Sequence, residues 1–334
     1  MLKLSKISFF LFVFFYNYLW LRIIVFNRFY NLYGSSGFLI GLFFIIGIIL
    51  LFTFFPKKIF NFDFYSLFYK SNFKWIFSLL TILEVICSVC FISYFFNQIF
   101  LVESNIYMII SILSLSIILV GKMTPREIMD ISTLFYLFGI LLIFISFIFV
   151  PKMEIEYVLM YEKKSYFYII IFSIIIFLDN LKLLINKENV ILNKNIFILS
   201  ILLSLIFFLV EYGVLLMIAG DYVLKDLSYV GFLKLSFMPV TKYFGDFNFV
   251  YLYLLIVCSI FKNAYNISLI NINKYKKLSG ILLFINIFIC SVFVVNNISI
   301  ESELYKYNIV LLLSFFILPV WMIWKCHYVR KNKK

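Results

Sequence analysis

Ten apolar stretches, separated by short loops that carry most of the charge, run through the 334-residue chain. A helix needs roughly 20 such residues to cross a hydrocarbon core of about 30 Å. The stretches lie near 7–26, 37–55, 75–98, 105–121, 128–150, 165–185, 195–219, 248–270, 279–297 and 305–325. The runs at 37–55 and 105–121 hold no charged residue. With 65% apolar or aromatic residues and only 13% charged, the chain has more apolar surface than a soluble interior can hide. The sequence therefore predicts an all-α integral membrane protein, one polytopic domain over residues 1–334 with about ten transmembrane helices.

The basic residues orient this arrangement. With the N-terminus inside, cytoplasmic segments hold 19 Lys and Arg and outer loops hold eight, the asymmetry expected of cytoplasmic loops. Both termini are then cytoplasmic. A formal charge of +13 in a soluble protein would point to nucleic acid. Here the charges sit in short loops between apolar runs, so no nucleic-acid partner is expected. Lys3 and Lys6 ahead of the first run resemble a signal peptide. No small-x-small cleavage site follows and Arg22 interrupts the run, so a retained first helix is expected. The longest outer loop spans 220–247. Its stretch from Leu224 to Phe237 alternates apolar and polar groups, with Gly231 and Pro239 as breakers, and predicts an interfacial amphipathic helix.

Ionisable groups within apolar runs are costly and normally face protein or water. The set is Arg22, Glu84, Asp130, Asp179, Glu211 and Lys262, with Asn17, Asn97, Gln98, Asn180, Asn263, Asn266 and Asn286 as neutral polar companions. Asp130 is expected to pair with Arg126 one turn away. Arg22 and Lys182 are expected to snorkel to the membrane faces. Glu84, Glu211 and Lys262 lie nearer the middle of their runs. Two readings stay open for them: a salt bridge between Lys262 and one of the glutamates, or a polar cavity for a small ligand or ion. Asp179-Asn180 is either the cytoplasmic end of the sixth run or a local unwinding, since Asx side chains compete with helical hydrogen bonds.

Chemistry-bearing motifs are scarce. Cys87-Ser-Val-Cys90 fits a CxxC spacing but lies inside an apolar run with no histidine near it, and the cysteines do not form a secreted disulfide pattern. The single histidine, His327, is in the C-terminal tail. Phosphate-loop, zinc-protease and serine-hydrolase signatures are missing from the sequence. No enzymatic activity, cofactor or metal is expected.

Ten runs with both ends inside permit a five-plus-five inverted repeat of the kind found in secondary transporters. Three stretches then resemble the spore germination permease family, the B subunits of nutrient germinant receptors within the amino acid–polyamine–cation transporter superfamily. Gly121-Lys-Met-Thr-Pro-Arg-Glu-Ile-Met-Asp130 is similar to the family's charged loop leading into a long fifth helix. Ile175-Ile-Phe-Leu-Asp179-Asn-Leu-Lys-Leu-Leu184 is similar to the end of its sixth span. The segment from Leu224 to Lys262, with Phe244-Gly-Asp-Phe-Asn248, resembles the amphipathic lead into its eighth span.

The resemblance implies a sensor of a small nutrient, such as an amino acid, in the inner membrane of a spore. Its implied partners are an A-type membrane subunit and a C-type lipoprotein. It places the ligand among the first, third, sixth and eighth spans, near Asn17, Glu84, Asp179, Asn180 and Lys262, with Glu211 beside them. Glu84 and Lys262 would supply the two charges a zwitterion needs. Two other classes stay open: a stand-alone proton- or sodium-coupled amino acid transporter, and an envelope-polysaccharide polymerase or flippase.

Overall fold

The computed structural model describes residues 6–21, 30, 33–54, 73–99, 105–148, 179–180, 182–184, 194–225, 248–270 and 278–297. Among them the chain is all-helical. The helices are α1 (Lys6–Trp20), α2 (Gly37–Phe54), α3 (Phe73–Ile99), α4 (Ile106–Gly121), α5 (Pro125–Ile148), α6 (Lys194–Lys225), α7 (Asn248–Leu269) and α8 (Leu278–Asn297). Short 3-10 turns occupy Gly34–Ser36 and Lys182–Leu184.

Eight of the ten apolar runs thus contain a helix with bounds close to those expected. The sixth run is represented by residues 179–180 and 182–184. The tenth run lies outside the described residues, as do Arg22 and most of the 220–247 loop. That loop's first residues, through Lys225, continue α6.

The sequence explains where several helices begin. Asn105 caps α4, its side chain accepting from the Tyr107 amide at 2.9 Å. Thr124 and Glu127 form a reciprocal capping box around Pro125. The Thr124 amide donates to the Glu127 carboxylate at 2.8 Å, and the Glu127 amide donates to the Thr124 hydroxyl at 3.3 Å. Proline is well placed as the first helical residue, where its missing N–H costs nothing.

Small residues set how closely the helices meet. A side chain at Gly37 or Gly41 of α2 would collide with Tyr212 or Leu209 of α6. At Gly121 and Gly139 a Cβ would lie 2.8 Å from Ile267 and 2.6 Å from Leu254, both on α7. α7 is accordingly in contact with α1, α3, α4 and α5, and α1 also packs against α5 and α6. These two helices form the middle of the bundle.

Among the described residues, the exposed faces of α4, α5 and α8 are largely apolar, while several ionisable groups are buried. On α4, Met108, Ile112, Leu115 and Leu119 are exposed along one face, while Ser114 and Gly121 turn inward. On α8, Ile281, Leu282, Ile285, Ile289 and Phe293 are exposed, and Ser291 is buried. Glu84, Asp179, Lys182, Glu211 and Lys262 are all buried. A soluble amphipathic helix has the opposite polarity. By length and composition, one described helical segment, Lys194–Met217 with mean hydropathy 2.4, suffices to cross a membrane. The other apolar segments described, from Lys6–Tyr18 to Gly280–Asn296, have 10–17 residues.

Candidate functional site

Two neighbours on α1 grip two neighbours at the end of the sixth run. The Tyr16 hydroxyl donates to Asp179 Oδ1 at 3.0 Å. Asn17 and Asn180 exchange amide hydrogen bonds: Asn17 Nδ2 donates to Asn180 Oδ1 at 2.9 Å, and Asn180 Nδ2 donates to Asn17 Oδ1 at 2.6 Å. Asn17 Nδ2 also donates to the Val13 carbonyl one turn earlier, which fixes its rotamer on the helix. Just beyond, the backbone tightens into the 3-10 turn Lys182–Leu184. The Leu183 carbonyl there accepts from the Tyr265 hydroxyl of α7 at 3.4 Å.

The charges form an alternating chain. Lys262 of α7 donates to Asp179 Oδ2 at 2.7 Å, and its ammonium lies 4.2 Å from the centre of the Tyr16 ring. Asp179 Oδ1 also faces Lys182 Nζ at 3.6 Å. Lys182 in turn makes a close ion pair with Glu84 Oε2 of α3. Asn266, one turn after Lys262, directs Nδ2 toward Glu84 Oε1 at 3.5 Å. The order is therefore Glu84, Lys182, Asp179, Lys262, two carboxylates and two ammonium groups whose formal charges cancel.

Every residue in this centre is 5% exposed or less. Burial on that scale makes pairing obligatory, because a lone ion in a low-dielectric interior carries a desolvation penalty of several kcal/mol. A second polar rung lies one turn along α3, where Asn263 Nδ2 donates to the Ser88 hydroxyl at 2.8 Å and to the Ser259 carbonyl at 2.9 Å.

The structure thus gathers Asn17, Glu84, Asp179, Asn180 and Lys262 into one centre. Two expectations are corrected. Glu84 and Lys262 do not pair directly, because Asp179 lies on Lys262 and Lys182 lies on Glu84. Lys182 does not snorkel: it is 1% exposed and holds both carboxylates, so it leaves the cytoplasmic tally without changing its sign. Asp130 pairs with Arg126 at 3.7 Å, a local contact at a half-exposed position, as the spacing predicts. Glu211 is buried on α6, outside the hydrogen-bonded set just described. Its neighbour Tyr212 donates to the Gly34 carbonyl, at the turn before α2.

Sequence reasoning did not single out Tyr16, directed Lys182 to the membrane face and gave Asn266 no specific role. The signal for Lys182 was its spacing. Three residues after Asp179, it shares a helix face with that carboxylate. Lys262 and Asn266, four apart, share a face of α7 in the same way.

Among the described residues, no group of three or more His, Cys, Asp or Glu is arranged to hold a metal ion. Cys87, Cys90, Cys258 and Cys290 are free thiols, and Cys90 Sγ donates to the Ser291 carbonyl of α8 at 3.6 Å. The CxxC pair thus contributes a packing contact between α3 and α8. In comparisons with protein-family models, curated proteins and solved structures, nothing matches this chain.

Proposed function

We propose that the chain is a ten-span protein of the cell membrane, with both termini cytoplasmic, that recognises a small polar nutrient at the centre built around Asp179. The narrower form of this reading is the membrane subunit of a spore nutrient germinant receptor of the germination permease type. It would act with an A-type membrane subunit and a C-type lipoprotein. One observation carries the reading: side chains from the first, third, sixth and eighth apolar runs converge on one buried polar centre. Those are the segments that the family resemblance nominates. A buried polar centre reached by four separate segments is also what a midplane solute site in a transporter-like fold requires.

Helix packing supports the five-plus-five repeat. A repeat of that kind relates the second run to the seventh, the third to the eighth and the fourth to the ninth. α2 packs on α6, α3 on α7 and α4 on α8. Swapping the halves converts the α3–α8 contact into the α7–α4 contact, and both occur. The same operation relates the α1–α7 contact to the one that Lys182 makes with Glu84 on α3. The α3–α4 contact lacks a comparable α7–α8 counterpart among the described residues, so the two halves are not identical. The apolar outer faces of α4, α5 and α8 support immersion in lipid.

Two experiments test the proposal. Reporter fusions after each apolar run should alternate between cytoplasmic and external signals, beginning and ending inside. Disrupting the gene in its spore-forming host should abolish the germination response to one nutrient class. Counterflow uptake by the purified chain in proteoliposomes separates the alternative, since a stand-alone transporter accumulates solute without partners.

A further inference from the structure

We infer that Glu84 and Asn266 together form a subsite for a nitrogen donor on a ligand of zero net charge. This rests on the solute-recognition role proposed above and names the chemistry that the centre selects.

Asn266 is fully buried on α7 and its Nδ2 faces Glu84 Oε1 at 3.5 Å. The alternative amide orientation would set two acceptors against each other, so the hydrogen-bond pattern fixes which atom points where. Among the described residues, Oδ1 of Asn266 then has no hydrogen-bond partner. Glu84 divides its oxygens unequally. Oε2 carries the close ion pair with Lys182, while Oε1 has, among the described residues, the long contact from Asn266 alone. Two acceptor oxygens, one from α3 and one from α7, therefore lie near each other and short of donors. The two ammonium groups of the centre are already engaged, Lys262 on Asp179 and Lys182 on both carboxylates. A primary ammonium or an amide N–H supplies what is missing, and leaving a buried acceptor unmet is costly.

Charge narrows the class. Glu84, Lys182, Asp179 and Lys262 sum to zero. A net cation or net anion entering this low-dielectric centre has no free counter-charge to meet it, whereas a zwitterion brings its own. The ligand class is therefore a zwitterion with an uncharged side chain, or an uncharged amide. Diamines and monocarboxylates are excluded.

The test uses the purified full chain in detergent. It is incubated with three mixtures and the retained compounds are identified by native mass spectrometry. The mixtures are the proteinogenic amino acids with small carboxamides, linear diamines, and short monocarboxylates. Retention should be confined to uncharged amides and to amino acids with uncharged side chains. Asn266→Leu should weaken that retention by about tenfold or more, the loss expected when a buried polar contact is removed. Asn266→Asp makes the centre net negative and should shift retention toward lysine and the diamines. Comparable retention of diamines or monocarboxylates by the unaltered chain would overturn the charge inference while leaving solute recognition standing. Undiminished retention by Asn266→Leu would mean that Asn266 holds only a water. Retention of nothing from any mixture would overturn both this inference and the solute-binding role.

Discussion

Lys262 reaches from the middle of α7 to within 2.7 Å of Asp179 Oδ2, with its ammonium over the Tyr16 ring. Three parts of the chain far apart in sequence are joined by that one cation. Replacing it by methionine keeps the volume and leaves Asp179 with Lys182 and the Tyr16 hydroxyl alone. The expected cost is about 3–5 kcal/mol, the usual penalty for breaking a buried ion pair from one side. The double variant Lys262→Met/Asp179→Leu should recover part of it. Thermal unfolding of the detergent-solubilised chain, run as a double-mutant cycle, measures the coupling.

The reciprocal amide pair between Asn17 and Asn180 should behave in the same way on a smaller scale. Asn17→Leu removes both hydrogen bonds that Asn17 exchanges with the fully buried Asn180 amide, at an expected cost of about 1–3 kcal/mol. Asn17→Leu/Asn180→Leu removes both partners and should be closer to the parent than either single change. Fluorescence-detected size exclusion after graded heating ranks the variants.

Close approach of α2 and α6 depends on Gly37 and Gly41, where any Cβ meets Tyr212 or Leu209. Gly41→Val should push the helices apart and destabilise the bundle by about 1–3 kcal/mol, as overpacking of a well-filled interface does. Leu209→Ala in the same chain makes room and should restore a large share. Equal stability of Gly41→Val and the parent would show that the two helices do not meet at this separation.

Leu134 on α5 is 72% exposed, and its neighbours Leu137, Phe138 and Leu141 are exposed with it. If lipid covers that face, Leu134→Arg should lower membrane integration, by about 2.5–3.5 kcal/mol on insertion scales for a central position. Leu134→Ala should be nearly silent by comparison. A glycosylation-site integration assay of α5 reads the difference, and a harmless arginine would mean that water covers the face.

Much of the helical layout was legible from the length and apolarity of the runs alone. The described helices end close to the apolar runs because such runs, free of internal proline, satisfy their own backbone groups only by coiling. Asn17, Glu84, Asp179, Asn180 and Lys262 were each legible as a polar group in an apolar run that must find company, and the family resemblance grouped them, with Glu211 beside them. Pairing was not legible. Which amine meets which carboxylate depends on helix rotation and crossing, and a sequence of this composition has almost no amphipathic phase from which to read rotation. Lys182 shows the difficulty: its place beside a cytoplasmic loop favoured snorkelling, whereas the Asp179 and Glu84 carboxylates draw it inward. Asn266 needed the third dimension as well, because only the packing of α7 on α3 brings it to Glu84.

If the charge-balanced centre recognises a nutrient, as proposed, the charge of Glu84 is needed for the response. The most direct measurement is the nutrient dose-response of spores carrying Glu84→Gln, with the amount of protein in the spore membrane quantified alongside. Glutamine preserves the shape and one acceptor oxygen, replaces the other with an amide donor, and removes the charge that balances Lys182. Normal membrane levels are expected, with the response lost or shifted to at least about tenfold higher nutrient, the shift expected for one charge-assisted contact. An unchanged dose-response at normal protein levels would contradict it.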